Sequence, residues 1–322
     1  MACSLSLPAI AQKQQATADQ QSLYQRSISA LQQGNLAEAQ HGFERLVRAT
    51  PNTAELHDLL GYTLMLESQP QTALPHLRRA VALSPKSGVF AAHLASALAQ
   101  SGDTKSAVAQ FKHAQQLGEN DPATRIAYAH ALSSAGDNAS AESELRAAIA
   151  ASPTAAAYDD LGTVLVQQHR IDDAIAAYKQ ALAADPNFTQ SQLHLGVLYV
   201  QQGQATDAIP LLDAATQQAP NLAPAYYYRG LAYRETGDKA KAAAALAHAA
   251  ELDARNTDYL RQAGLSAQAN GETAKAIQYF DQASKLQPNN ADLYSDLGLA
   301  YTQGAKMDSA VQALEQARKL AP

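Results

Sequence analysis

A motif of 34 residues recurs along almost the whole chain, and this period constrains the fold more than any other feature. The clearest copy spans residues 187–220 and contains two amphipathic segments separated by Gly203. With Gly196 numbered as position 8, the equivalent residues follow at steps of 34, with one step of 33. They are Ser27, Gly61, Ala95, Ala129, Gly162, Gly196, Gly230, Gly264 and Gly298. A fixed period of this length is typical of a stacked solenoid.

Small and large residues alternate at fixed positions of the repeat. Position 20 is alanine in every repeat, from Ala39 to Ala310, and position 27 is alanine in all repeats but the first, which has Leu46. Position 24 is always large, as in Leu77 and Phe280. Small residues at positions 8 and 20 allow two helices to approach closely, while large residues at positions 7, 11 and 24 fill the grooves beside them. The pattern predicts a packed helix pair in each repeat.

Turn-forming residues separate the predicted helices. Glycine at position 15 suits the left-handed residue that ends a helix. It occurs as Gly34, Gly102, Gly136, Gly203, Gly237 and Gly271. The polar residue that follows is predicted to cap the next helix by accepting backbone N–H bonds. These residues are Asn35, Asp103, Asp137 and Asp238. Proline at position 32, as in Pro220, disfavours a helical conformation for the residue before it and so separates the repeats.

This combination of spacing and residue types resembles the tetratricopeptide repeat (TPR). The resemblance implies an all-α fold, an α-solenoid in which helix-turn-helix repeats form a right-handed superhelix. Nine repeats are predicted over residues 20–322, starting near 20, 54, 88, 122, 155, 189, 223, 257 and 291, with residues 1–19 as an N-terminal tail. The chain departs from the family pattern at position 4, where only Tyr158, Tyr226 and Tyr294 supply the favoured aromatic residue.

Composition excludes several classes of function. The formal net charge is −6 and no basic stretch stands out, which argues against a nucleic-acid partner. No segment contains 18 consecutive apolar residues, so no membrane span is predicted. A single cysteine, Cys3, excludes intrachain disulfides and cysteine-based zinc sites.

The N-terminal tail contains the sequence LSLPAIAQ at residues 5–12, which resembles the end of a bacterial signal peptide. Ala9 and Ala11 fit an A-x-A cleavage site, although the charged region that normally precedes the apolar core is missing. The segment predicts a periplasmic or secreted protein. The alternative is a frayed tail on a cytoplasmic protein.

The sequence contains no motif for catalysis, cofactor binding or metal binding. It has no H-E-x-x-H, Walker-type, G-x-S-x-G or G-x-G-x-x-G pattern, and no two histidines form an i,i+4 pair on a predicted helix. We therefore predict a protein that is not an enzyme and has no cofactor.

The TPR resemblance also implies candidate binding residues, because positions 2, 5, 9 and 12 of the first helices face the concave groove in that family. The residues at these positions that we predict to bind a ligand are Asp58, Tyr62, Met65, Ser96, His130, Asp159, Thr163, Leu193, Val197, Tyr227, Leu231, Arg234, Arg261 and Leu265. The basic and Asn residues with which some TPR proteins clamp a peptide carboxylate are absent. A mixed apolar and polar groove suits an extended or helical peptide instead.

The predicted function is a non-enzymatic scaffold that binds a protein or peptide segment in the groove. One alternative is a substrate-recruiting arm of a larger enzyme, as in TPR-bearing glycosyltransferases. Another is a structural array that self-associates through its C-terminal repeat. No polar closing helix follows Pro322, so Leu314 and Leu320 are expected to lie on or near an uncapped end.

Overall fold

The structure, a computed structural model, describes residues 7–321, with side chains described from Thr17 onward. The described residues form eighteen α-helices and no β-strand. The helices are α1 (Leu7–Gln32), α2 (Leu36–Ala49), α3 (Ala54–Leu66), α4 (Pro70–Leu83), α5 (Gly88–Gln100), α6 (Thr104–Gln116), α7 (Pro122–Ser134), α8 (Asn138–Ala151), α9 (Ala155–Gln167), α10 (Ile171–Ala184), α11 (Thr189–Gln201), α12 (Ala205–Gln218), α13 (Ala223–Glu235), α14 (Lys239–Leu252), α15 (Thr257–Ala269), α16 (Thr273–Leu286), α17 (Ala291–Gln303) and α18 (Met307–Leu320). No helix among the described residues has the length and apolar character needed to cross a lipid bilayer.

Each odd-numbered helix packs against the even-numbered helix that follows it, so one helix pair corresponds to one repeat. This arrangement confirms the predicted all-α solenoid of helix-turn-helix repeats. Helix α1 is longer than the other first helices, because it begins at Leu7 and includes residues placed in the N-terminal tail by the sequence pattern. The cleavage-site residues fall in the segment whose side chains are outside the described part of the chain.

The chain divides into two compact units, Met1–Pro153 (the N-terminal half) and Thr154–Pro322 (the C-terminal half). The division falls where the repeat step shortens from 34 to 33 residues. Within each half, successive helix pairs stack through contacts between an even-numbered helix and the next odd-numbered helix, as between α12 and α13.

The small positions of the repeat lie where the two helices of a pair are closest. A Cβ atom added to Gly196 would lie 2.7 Å from the Leu212 Cγ atom, and one added to Gly162 would lie 2.5 Å from the Tyr178 ring. In each case the glycine at position 8 faces the large residue at position 24 of its own repeat. Ala39 and its equivalents at position 20 are buried throughout. The structure thus confirms why these positions carry small residues.

The turn between the two helices of each repeat contains one left-handed residue at position 15. The six predicted glycines have φ angles between +72° and +88°. Where position 15 is not glycine, Ser68, His169 and Ala305 adopt the same conformation, with φ between +56° and +59°. The turn geometry is therefore the same in all nine repeats, although three of them lack the favoured glycine.

Three of the four predicted caps are confirmed. Asp103, Asp137 and Asp238 each accept a hydrogen bond from a backbone N–H in the first turn of the following helix. The prediction is wrong for Asn35, whose side chain makes no capping bond. Its amide Nδ2 instead donates to the Glu38 carboxylate at 2.7 Å, which turns the amide toward that neighbour.

Candidate functional site

A groove of about 450 Å³ opens across the first helices α3, α5 and α7 in the N-terminal half. Its walls come mainly from positions 9, 12 and 13 of consecutive repeats, because stacked helices in the same register present equivalent positions on one face. We call this cavity the N-terminal groove. Its lining residues are Tyr62, Met65, Leu66, Ser96, Ala99, Gln100, Thr104, Phe111, Ala127, His130, Ala131 and Ser134.

The N-terminal groove has an apolar floor and a polar, uncharged edge. Phe111 is fully buried beneath it, whereas the Leu66 side chain is 47% exposed. The Ser96 hydroxyl donates to the Ala92 carbonyl at 3.1 Å, so its oxygen can still accept a hydrogen bond. The lining residues include no Asp, Glu, Lys or Arg. Such a surface favours an uncharged segment with apolar side chains.

Four of the residues predicted from the sequence meet in this groove: Tyr62, Met65, Ser96 and His130. They come from three successive repeats, and the outermost two, Tyr62 and His130, are 68 residues apart in the sequence. Leu66, at position 13, was not predicted, because the TPR resemblance implied only positions 2, 5, 9 and 12. Its position at the end of α3, beside Met65, places it on the same wall.

The prediction that Asp58 lines an open groove is wrong. Asp58 is only 5% exposed, and its carboxylate lies 2.9 Å from the Nδ1 atom of His93 in the next repeat. The His93 ring stacks on Tyr62 with ring centroids 4.8 Å apart. Asp58 therefore holds His93, and His93 in turn supports one wall of the N-terminal groove.

The same correction applies to Asp159 in the C-terminal half. Asp159 is 6% exposed and its Oδ1 atom accepts from the Ser191 hydroxyl at 2.6 Å, with His194 Nδ1 at 3.0 Å. A buried carboxylate whose oxygen is already bonded is not available to a ligand on an open face. Asp159 instead links two consecutive first helices, α9 and α11.

The other predicted residues of the C-terminal half also make contacts within the stack. The Thr163 hydroxyl lies 3.2 Å from the Tyr178 hydroxyl, and burial is the main reason that the pKa of Tyr178 rises to about 12. Three further predicted residues, Leu193, Leu231 and Leu265, pack against core clusters, and Val197 is half-buried. Tyr227 packs on the ring of Tyr259.

Both predicted arginines bond to the following repeat. Arg234 donates to the side-chain oxygen of Gln262. Arg261 Nε donates to Asp296 at 2.7 Å, and this hydrogen bond is the main reason that the pKa of Arg261 is raised. Arg261–Asp296 joins position 5 of one repeat to position 6 of the next, as Asp58–His93 does. Position 5 therefore serves contacts between repeats at these places.

The structure brings together a pair of histidines in the N-terminal half that the sequence pattern did not indicate. His57 Nδ1 lies 3.1 Å from His76 Nδ1, and His57 Nε2 lies 3.0 Å from the Pro51 carbonyl. Because a carbonyl only accepts, His57 Nε2 carries the proton and its Nδ1 accepts one from His76. An i,i+4 spacing relates residues of one helix, whereas these two histidines face each other from α3 and α4. Among the described residues, no three metal-ligating side chains form a group that could hold a metal ion.

This pair predicts a pH-dependent stability. Burial first, and then His57, lower the pKa of His76 below 6.5, against a smaller opposing effect of Glu44. The folded state then binds fewer protons than the unfolded state, so stability present above pH 6.5 is lost as the pH falls from 6.5 through the lower pKa of His76 in the folded state. Urea denaturation at pH 7.5 and 5.5 should show a smaller acid loss for His76→Gln than for the unmodified protein. Equal losses in both proteins would contradict the assignment.

Comparisons with protein families place this arrangement in a known class. The paired helices, the small residues at their contacts and the open groove define a helical-repeat scaffold of the kind that binds proteins. Models described as tetratricopeptide repeat match residues 2–153, 160–223, 223–256 and 291–322, and a model described as TPR repeat matches residues 264–304. The chain belongs to the tetratricopeptide repeat family.

Two of the similar solved structures agree with this fold over most of the chain. The APC/C hetero-tetramer Cut9–Hcn1 is 17% identical, with a TM-score of 0.59, covering 82% of this chain and 52% of that chain. The C-terminal part of a TPR repeat-containing protein from Cytophaga hutchinsonii is 17% identical, with a TM-score of 0.58, and the match covers 72% of this chain and 95% of that chain. The protein in a crystal structure of MamA is 32% identical, with a TM-score of 0.47, and the match covers 50% of this chain and 94% of that chain. The comparison with curated proteins found no match.

Proposed function

We propose that this protein is a non-enzymatic scaffold that holds a segment of a partner protein in the N-terminal groove. The observation that carries the proposal is the uncharged cavity of about 450 Å³ formed by equivalent positions of three consecutive repeats. Grooves that combine apolar walls with a few polar groups are the usual form of a binding site.

Two features of the groove favour an apolar anchor from the partner. Leu66 exposes 47% of its surface at the rim, so covering it removes apolar area from water. Tyr62 is held by its contact with His93, which is fixed by Asp58, so little side-chain freedom remains to be lost on binding. Rigid aromatic residues of this type commonly dominate binding energy. The partner segment would place an apolar side chain against Tyr62 and Leu66.

The test is the effect of removing these two side chains. Proteins retained by the unmodified chain are identified by mass spectrometry, and the affinity of each is then measured by isothermal titration calorimetry. Tyr62→Ala with Leu66→Ala should weaken a true groove partner by about tenfold or more. A control with Tyr279→Ala and Leu286→Ala removes one tyrosine and one exposed leucine from α16, a second helix outside the groove, and should change the affinity little. Equal affinities for both double variants would refute groove binding.

A second candidate function, self-association, is favoured by an exposed apolar face on α17 and α18. Leu299, Met307 and Val311 are each at least 55% exposed, and Leu314 is 40% exposed. Position 24, which Leu314 occupies, is fully buried in repeats 7 and 8, as Leu246 and Phe280 show. These four side chains together form an apolar face on α17 and α18.

The charges on α18 suit a second copy of the chain as the covering partner. Asp308 lies in the first turn, and Arg318 and Lys319 lie in the last turn. A two-fold antiparallel contact would bring the opposite ends together, and two-fold dimers are the commonest symmetric assembly. Analytical ultracentrifugation should show a concentration-dependent dimer that Val311→Glu abolishes. The same change at exposed Val89 should leave it intact, and a strict monomer at all concentrations would rule out this candidate.

A further inference from the structure

A second, smaller pocket lies on the N-terminal half between α1 and α2. Its volume is about 150 Å³, and its lining includes Arg26 of α1 and Glu38, His41 and Arg45 of α2. It shares no lining residue with the N-terminal groove. It is therefore a feature that the proposed function leaves unused.

The pocket brings together two cationic side chains, Arg26 and Arg45, that are solvent-exposed and have no protein partner among the described residues. In the described part of the chain, neither Arg26 nor Arg45 is hydrogen-bonded or ion-paired, whereas neighbouring Arg48 pairs with Glu44 at 3.2 Å. Glu38, the acidic residue of the lining, accepts from Asn35 at 2.7 Å. The two guanidinium groups around this small cavity provide donors in the forked geometry that suits carboxylate and phosphate oxygens, and the His41 imidazole can add a single N–H donor.

Another repeat of this chain shows what an arginine at this position bonds to. Arg26 occupies position 7, which is a buried apolar or aromatic residue in all repeats except the first and the seventh. The seventh repeat has Arg229 on α13, whose Nη1 atom donates to the Thr216 hydroxyl at 2.8 Å and lies 3.4 Å from an Asp213 carboxylate oxygen. Thr216 and Asp213 both belong to α12, the helix packed before α13. The arginine at position 7 of this repeat thus contacts an acidic side chain and a hydroxyl side chain of the preceding helix.

We propose that Arg26, His41 and Arg45 form a binding site for a compact oxyanion. The Arg229–Asp213 contact favours a carboxylate presented by a partner segment that packs against α1 and α2. Arg26 provides the contact that Arg229 makes, and Arg45 supplies a second fork from the other side of the pocket. This site adds a charged contact to the uncharged N-terminal groove, and the two are tested independently because their residues differ.

The experiment follows arginine side chains in the full-length protein by NMR. The Nε–Hε resonances are recorded while sodium acetate or inorganic phosphate is added, with sodium chloride at equal ionic strength as the reference. Arg26 and Arg45 resonances should move in a saturable manner with acetate, and Arg26→Gln with Arg45→Gln should weaken acetate binding by about tenfold or more, as judged from the His41 ring resonances. A control with Arg78→Gln and Arg318→Gln removes the same charge from exposed sites elsewhere and should leave the affinity unchanged.

The outcomes separate the sources of the anion. Saturation by acetate and phosphate supports the oxyanion site with a carboxylate as its ligand. Saturation by phosphate alone supports the site with a phosphate group as its ligand. Shifts that equal those in sodium chloride, or that the control variant reduces as much as the pocket variant, show an adventitious ion only and overturn the proposal. Loss of groove binding by the Tyr62 and Leu66 variant has no bearing on any of these results.

Discussion

Replacing Gly230 with valine is expected to lower the free energy of unfolding by about 2–3 kcal/mol, the scale of overpacking a close-packed core. A Cβ atom at this residue would lie 2.5 Å from the Leu246 Cγ atom and 3.1 Å from the Leu246 backbone nitrogen. The side chain could rotate away, but the backbone contact requires α13 and α14 to separate. The two Cγ atoms of valine would enlarge that displacement.

The control and a graded series test this explanation. Ala244→Val places the same side chain on an exposed site of α14 and should change stability by roughly 0.5 kcal/mol, the scale of helix propensity alone. Gly230→Ala should fall between, since Ala95 and Ala129 occupy position 8 in other repeats. Because stacked repeats can unfold in segments, hydrogen exchange on α13 and α14 should accompany urea denaturation. A Gly230→Val protein as stable as the Ala244→Val protein would show that close helix approach is not required there.

Replacing Asp159 with alanine is expected to cost about 2–3 kcal/mol, because two hydrogen bonds to a charged acceptor are lost in a buried site. Ser191, whose hydroxyl donates to Asp159 at 2.6 Å, is fully buried, so it would lose its acceptor without gaining water. His194 Nδ1, 3.0 Å from the same oxygen, would also lose its partner. The contact between α9 and α11 should loosen first.

Two variants separate the bonding role of Asp159 from its volume. Asp159→Asn keeps the shape and an accepting oxygen, so it should recover part of the stability. Asp172→Ala removes an exposed carboxylate from the first turn of α10 and should cost less than either. The measurement is urea denaturation combined with hydrogen exchange on α9 and α11. If Asp159→Ala and Asp172→Ala lose the same stability, the bonds of Asp159 contribute little, which would contradict the conclusion that Asp159 links α9 to α11.

Local signals in the sequence accounted for the repeat architecture because each acts within one helix pair. The position-8 glycines face the large residues at position 24 over a separation of sixteen residues, as in Gly61 and Leu77. The left-handed turn residue and the aspartate caps depend on still shorter stretches of chain. These features can be predicted from the sequence of one repeat, because a neighbouring repeat does not alter them.

The residues that line the N-terminal groove were predicted only in part from the sequence, because the exposure of each depends on the repeat that packs next to it. Asp58 and Asp159 occupy a position that the family uses for ligands, yet their partners His93, Ser191 and His194 lie in the following repeats. The His57–His76 pair requires two antiparallel helices to bring together residues nineteen positions apart. Burial of a polar group is decided by what covers it, and the repeat pattern does not specify that.

By itself, the sequence determined the helical-repeat class, the small residues at the helix contacts and the turns that connect the helices. The physical basis of these predictions is the periodicity of the sequence, because it determines which face of each helix is apolar. Only the tertiary structure decided that Tyr62, Met65, Ser96 and His130 share one cavity with Leu66 while the acidic candidates are buried. That difference arises because a cavity is formed by side chains from several repeats, whose sizes and hydrogen bonds vary although their spacing does not.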